Sequence, residues 1–91
     1  MTITRQHEDT LIKEIKKYID VAASDIHPSV EHFQVECRAA HFARTNFFAD
    51  RVAEELQAGR TFVYEALLKS PYINKKVQQH IDKLSRKVRV V

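Results

Sequence analysis

The sequence predicts a single all-α domain of four to five helices. The chain has 91 residues, which suits one hydrophobic core, and it contains one glycine and two prolines. A β-domain of this length needs more turn-forming residues than that. Residues that favour helix, such as Glu, Lys, Gln, Arg, Ala and Leu, are abundant, and apolar residues recur at steps of three and four.

The first helix is predicted at about residues 8–23, after a flexible arm at residues 1–7. Glu8 and Asp9 lie near its start, where the helix dipole favours negative charge. Its apolar positions form one stripe on a helix, and they are Leu11, Ile12, Ile15, Tyr18, Ile19 and Ala22.

A second helix is predicted to start near Pro28, because proline suits a first helical turn and displaces the residue before it from the helical region. Thr45 and Asn46 interrupt the apolar pattern and are both suitable N-caps. The sequence therefore leaves open one long helix, from Pro28 to Ala58, or a break at Thr45-Asn46. Its apolar positions are Val30, Phe33, Cys37, Ala40 and Phe47, followed by Phe48, Val52, Ala53 and Leu56.

The C-terminal third predicts two further helices. Gly59 follows an apolar run and indicates a helix end. A short helix is expected at residues 61–68, carrying Phe62, Val63, Ala66 and Leu67, until Ser70-Pro71 ends it. We expect Asn74 to cap the last helix, whose stripe is Val77, Ile81 and Leu84, and we expect residues 87–91 to be a helix end or an extended arm.

Charge is unevenly distributed along the chain. Residues 1–68 carry a net charge of −3, whereas residues 69–91 carry +6. A cationic end on a slightly acidic body favours an anionic partner, although a solvated basic helix face gives the same pattern. The single cysteine allows no internal disulfide, which favours a reducing compartment. The first residues lack the apolar core of a signal peptide, and no apolar run is long enough for a membrane span. We expect a cytoplasmic protein with no membrane association.

Residues 52–84 resemble the DNA-binding headpiece of the lactose-repressor family. Ala53 supplies the small residue that a helix-turn-helix needs at its crossing, and Leu56 and Val63 supply apolar contacts. The resemblance continues through Leu67, Ser70-Pro71, Ile73, Asn74 and the stripe Val77, Ile81 and Leu84. The chain departs from the family pattern at three positions. Gln57 replaces a glycine with positive φ at the turn, Gly59 replaces the serine that caps the second helix, and Phe48 replaces the polar cap before the first helix.

The resemblance implies a helix-turn-helix within residues 46–86 and a DNA-binding regulator of transcription. Arg60, Thr61 and Glu65 are then expected at base edges, and Tyr64 at the DNA backbone or a thymine methyl group. Phosphate contacts are expected from Lys69, Asn74, Lys75 and Lys76, supported by the tail cations Arg86, Lys87 and Arg89. Residues 8–44 are expected to be a helical scaffold or the interface of a homodimer.

Other functions were weighed against DNA binding. The rival is a helical protein-interaction module, such as an adaptor, a secretion chaperone or a phage-type inhibitor of a host complex. At helical spacing, the five phenylalanines favour a core, although some of them on the surface would favour protein recognition. Cys37 and His41 share a helix face, but His32 is turned away from them and the chain has no CxxC or HExxH pattern. No catalytic constellation is present, so we expect no metal, no cofactor and no enzyme activity.

Overall fold

A computed structural model describes residues 2–91 as four helices and two short strands. The prediction of an all-α fold is confirmed, and the helix count falls within the expected range. In chain order the elements are α1 Arg5–Ala23, β1 Ile26–His27, α2 Val30–Leu56, α3 Arg60–Leu68, α4 Pro71–Ser85 and β2 Arg89–Val90.

Helix α1 begins three residues earlier than the sequence predicted, because Thr4 and His7 form a capping box. The Thr4 hydroxyl accepts a hydrogen bond from the His7 backbone N–H at 3.2 Å. The His7 Nδ1 in turn accepts from the Thr4 backbone N–H at 3.0 Å. The prediction of a flexible arm is therefore wrong for residues 4–7, and Ile3 also packs partly against the core. Met1 lies outside the described residues.

Helix α2 is continuous through the point where the sequence left a break open. Thr45 is fully buried, and its hydroxyl donates to the His41 carbonyl oxygen at 2.8 Å instead of capping a new helix. The helix starts at Val30 rather than at Pro28, because the hydroxyl of Ser29 accepts from the His32 backbone N–H at 3.1 Å and acts as the N-cap.

Helices α1, α2 and α4 pack along an elongated molecule of 46 × 17 × 17 Å, and the short α3 connects α2 to α4 at one end. The start of α1 is tied to that end, since the Tyr72 hydroxyl donates to Asp9 at 2.6 Å and the Ser70 hydroxyl donates to Glu8 at 2.5 Å. The largest fully buried side chains include Leu11, Ile15, Ile19, Phe33, Leu67, Ile73 and Ile81.

The C-terminal tail forms an extended strand rather than a helix end. Strand β2 pairs in parallel with β1, so that Ile26 lies opposite Arg89 and His27 opposite Val90. The Val91 backbone N–H donates to the His27 carbonyl oxygen at 3.0 Å. The tail is thus fixed beside the α1–α2 connection.

Three of the predicted core aromatics lie on the surface. Tyr18, Phe47 and Phe62 are 46%, 61% and 68% exposed, so their placement in core stripes was wrong. Neighbouring residues on a helix point about 100° apart. Val63 occupies the core position of α3, so Phe62 points outward, and Arg44 of α2 covers the Tyr18 ring at 4.6 Å. Within residues 2–91, no helix combines the length and apolar character that crossing a membrane requires.

Candidate nucleic-acid interface

The turn between α2 and α3 contains a left-handed residue. Gln57 has φ 54° and ψ 42°, at the position where the lactose-repressor family, which residues 52–84 resemble, keeps glycine. Gly59 has φ −66° and ψ 130° and is the N-cap of α3, the position of the family's capping serine. Because Gln57 carries a side chain, this turn costs about 1 kcal/mol more than it would with glycine.

The side chains predicted to lock the helix crossing are at the α2–α3 contact. Val52 and Ala53 of α2 are 2% and 7% exposed, and Val63 and Leu67 of α3 are fully buried. Leu56 packs partly against the same cluster. The sequence therefore located the apolar side of this unit correctly, although the unit is the end of a 27-residue helix rather than a separate first helix.

Arg60, the residue expected to grip guanine, is bound to its own chain. Its guanidinium forms a salt bridge with Asp50 and hydrogen bonds with the Asn46 side chain, both on α2. The guanidinium also lies 5.7 Å from the centre of the Tyr64 ring. Arg60 would have to leave Asp50 and Asn46 to reach a base edge, so its predicted role in reading bases stays a prediction.

The remaining predicted positions on α3 are divided between surface and core. Thr61, Glu65 and Lys69 are exposed, whereas Tyr64 is half-buried against the core. Phe62 is the most exposed side chain on this helix with a large apolar group. The outer face of α3 thus has one free cation, Lys69, beside the carboxylate of Glu65.

Asn74, Lys75 and Lys76 do not open the last helix as the sequence suggested. Helix α4 begins at Pro71, and the Ser70 hydroxyl caps it by accepting from the Ile73 backbone N–H at 3.2 Å. The Asn74 side chain instead donates to the Leu68 carbonyl oxygen at the end of α3, at 2.8 Å. The Asn74 backbone N–H is bonded to the Ser70 carbonyl oxygen, so it is not available to a phosphate.

The outer face of α4 is the most cationic surface in the part of the chain described. Exposed side chains lie on this helix at Lys75, Lys76 and Lys83, and at the two residues that follow it, Arg86 and Lys87, with Asp82 as the one carboxylate among them. We call these five cations the α4 basic face. Among residues 2–91, no salt bridge includes any of the five.

The region around α3 has the opposite balance. Residues 50–69 hold Asp50, Glu54, Glu55 and Glu65 against Arg51, Arg60 and Lys69. Arg51 pairs with Glu14 at 2.6 Å, and Arg60 pairs with Asp50. The cations that form no salt bridge are therefore concentrated at α4 and the residues after it rather than at α3.

The metal ligands weighed from the sequence do not form one site. Cys37 is fully buried, as expected, and burial raises the pKa of its thiol to about 11, so it remains a neutral thiol at pH 7. Burial also lowers the pKa of His41. His32 lies instead beside His27, at 3.2 Å between their Nδ1 atoms.

Comparisons of the chain with protein-family models, with curated proteins and with solved structures gave no match. The resemblance to the lactose-repressor headpiece therefore stays a prediction, and the functional argument depends on the geometry and charge of this chain.

Proposed function

We propose that this protein binds double-stranded DNA, mainly through phosphate contacts made by the α4 basic face. The observation that carries the proposal is the run of five exposed cations on α4 and the two residues that follow it, none of them in a salt bridge among the described residues. Such a surface releases counterions when it meets the phosphate backbone, and this release drives binding without regard to sequence.

The α2–α3 turn supports a helix-turn-helix role beside this face. The support is a left-handed residue at the turn, Gln57, and the buried Val63 and Leu67 on the second helix, which are features that a helix-turn-helix uses. Thr61 and Glu65 are exposed on that helix and are available to base edges. Because Arg60 is held by Asp50, we expect sequence preference to be modest compared with the phosphate contribution.

A salt titration tests the proposal. Binding of a random 30-base-pair duplex is followed by fluorescence anisotropy between about 50 and 300 mM salt. Each phosphate contact contributes about −0.9 to the slope of log K against log salt, so five contacts give a slope near −4.5. Absence of binding at the lowest salt, or a slope near zero, would contradict the proposal.

A second candidate function is favoured by the outer side of α2. Val35 and Phe42 are 65% and 52% exposed, seven residues apart, with the exposed Ala39 and Asn46 continuing the same side. Steps of four and three residues place these positions along one seam, as in helices that pair with each other. The protein would then act as an interaction module, or this seam would join two copies of a DNA-binding chain.

Sedimentation equilibrium separates these alternatives. A homodimer that Phe42→Glu converts to a monomer would assign the seam to a second copy. If the chain is a monomer at high micromolar concentration, the expectation of a homodimer is wrong, and the seam would instead bind a different protein. The matched control is Val21→Glu, since Val21 is 62% exposed but lies on α1.

A further inference from the structure

A group of three metal-ligating side chains lies at the end of the molecule away from α3. His27 of β1 and His32 and Glu36 of α2 each direct one ligand atom to a common region, and these atoms all lie within 4.8 Å of one another. His27 Nδ1 is 3.2 Å from His32 Nδ1 and 3.6 Å from Glu36 Oε2. His32 Nδ1 is 4.0 Å from Glu36 Oε1.

The hydrogen bond on the far side of the His27 ring determines which nitrogen can bind a metal. His27 Nε2 is 2.7 Å from the Ala22 carbonyl oxygen, which can only accept, so Nε2 carries the proton. The neutral ring therefore has its lone pair on Nδ1, directed at His32 and Glu36. Metal-binding histidines commonly donate their second N–H to a backbone carbonyl in this way, which fixes the ring and its tautomer.

The distances agree with a tetrahedral transition-metal site. Two nitrogen ligands about 2.0–2.1 Å from a zinc ion lie about 3.3–3.4 Å apart when the angle between them is tetrahedral. The observed separation of the two Nδ1 atoms is 3.2 Å. The Glu36 carboxylate is further away, with Oε2 at 3.6 Å from His27 Nδ1 and Oε1 at 4.0 Å from His32 Nδ1, so its half-exposed side chain must rotate to bring one oxygen to the ion.

The fold fixes the His27 ring before any ion arrives and places His32 and Glu36 beside it. His27 is 2% exposed, and its ring packs edge-on against Phe33 with 5.3 Å between ring centres. Its backbone is fixed by the pairing of β1 with β2. His32 and Glu36 are four residues apart near the start of α2, so they lie on one helix face.

The ligand set also indicates which ions suit the site. Two imidazoles and one carboxylate suit zinc and its neighbours in the first transition row, whereas magnesium and calcium prefer oxygen ligands. A cavity of about 510 Å³ adjoins the ligands and is lined by Asp25 and Arg89, which leaves room for water as a fourth ligand. Arg89 is held at the rim, because its guanidinium donates to the Ser24 carbonyl oxygen at 2.8 Å.

We propose that His27 Nδ1, His32 Nδ1 and the Glu36 carboxylate bind one zinc ion, with water in the fourth position. The ion would join β1 to the first turns of α2 and, through β2, would fix the C-terminal tail. This site lies at the start of α2, whereas the α2–α3 turn lies at its other end.

The test is calorimetric titration of the untagged chain with zinc chloride. We expect one ion per chain, with affinity reduced at least about 10-fold by His32→Ala and by Glu36→Gln, since even removal of outer-shell groups costs 10- to 100-fold at zinc sites. Both side chains are about half exposed, so these variants should fold. His80→Ala is the matched control, because His80 pairs with Asp20 on another part of the surface.

A nitrogen NMR measurement identifies the ligand atoms. Zinc should shift the Nδ1 resonances of His27 and His32 and leave the Nε2 of His27 protonated, whereas magnesium should do neither. Absence of zinc binding, binding unchanged in both variants, or equal loss in His80→Ala would overturn the proposal. If no zinc binds, the distance of 3.2 Å between the two Nδ1 atoms would be explained by a hydrogen bond between His27 and His32.

Discussion

Helices α3 and α4 both have basic side chains at their exposed surfaces, but the α4 basic face has more of them outside salt bridges. At α3, Arg60 pairs with Asp50, and Lys69 is on the same surface as Glu65. On α4 and the two residues that follow it, five cations face solvent beside the single carboxylate of Asp82. The difference shows that a basic residue at a motif position is not thereby free to bind DNA, because a carboxylate on a neighbouring helix can form a salt bridge with it.

The largest expected effect concerns the two sides of α3. Leu67 is fully buried against α2, whereas Phe62 on the same helix is 68% exposed. Leu67→Ala should lower the free energy of unfolding by about 2–5 kcal/mol, because it leaves a cavity. Phe62→Ala should change it by less than about 0.5 kcal/mol. Urea denaturation measures both, and equal losses would show that α3 packs differently.

The next effect compares the charges of α4 with those of α1. The double variant Lys75→Gln, Lys83→Gln should weaken duplex binding roughly 50-fold at about 0.1 M salt. Each phosphate contact raises the logarithm of the binding constant by about 0.9 when salt falls from about 1 M to about 0.1 M, and the variant loses two such contacts. The control is Lys13→Gln with Lys17→Gln, which removes the same charge from the exposed face of α1. Equal weakening in both variants would indicate a general charge effect and would contradict a localised α4 surface.

A smaller effect is expected at the two unusual positions of the turn. Gln57→Gly should raise the free energy of unfolding by up to about 1 kcal/mol, because glycine adopts positive φ without strain. Gly59→Ala should change it by less than about 0.5 kcal/mol, because the loss of glycine's freedom in the unfolded chain is offset by alanine being a poorer N-cap, although an added Cβ meets only Phe62 Cβ at 4.0 Å. Thermal unfolding checks both, and destabilisation by Gln57→Gly would mean that the turn is not left-handed there.

The smallest effect is expected at Arg60. Since Arg60 is held by Asp50 and Asn46, Arg60→Ala should change affinity for a random duplex by less than about three-fold. Competition anisotropy measures this change. A loss of 1–3 kcal/mol on a selected DNA site would instead restore Arg60 as a base-reading residue and show that DNA displaces Asp50.

Local rules in the sequence predicted most of the helices but not their ends. The stripe from Leu11 to Ile19 and the lone Gly59 were sufficient to predict α1 and the end of α2. The start of α1 was missed because the capping box at Thr4 uses a histidine, His7, in place of the usual Glu or Gln. The start of α4 was misplaced because Ser70 and Asn74 are both acceptable caps, and only the structure shows that Asn74 binds Leu68.

The candidate sites were less predictable, because they depend on contacts between distant residues. The register of the turn followed from the resemblance, and Gln57 adopts the expected conformation. The Arg60–Asp50 pair joins residues on two helices, and its formation depends on the crossing of α2 and α3. His27 has no helical periodicity with His32, so nothing in their spacing indicated that the α1–α2 connection brings them to 3.2 Å.

The most direct test of the central claim is an amide NMR map of the chain during titration with a short duplex at low salt. The account predicts that shifts concentrate on α4, at Lys75, Lys76, Lys83, Arg86 and Lys87, with smaller changes at Thr61 and Glu65. Shifts concentrated at residues 60–69, or no shifts at all, would contradict the claim that DNA binds mainly through the α4 basic face.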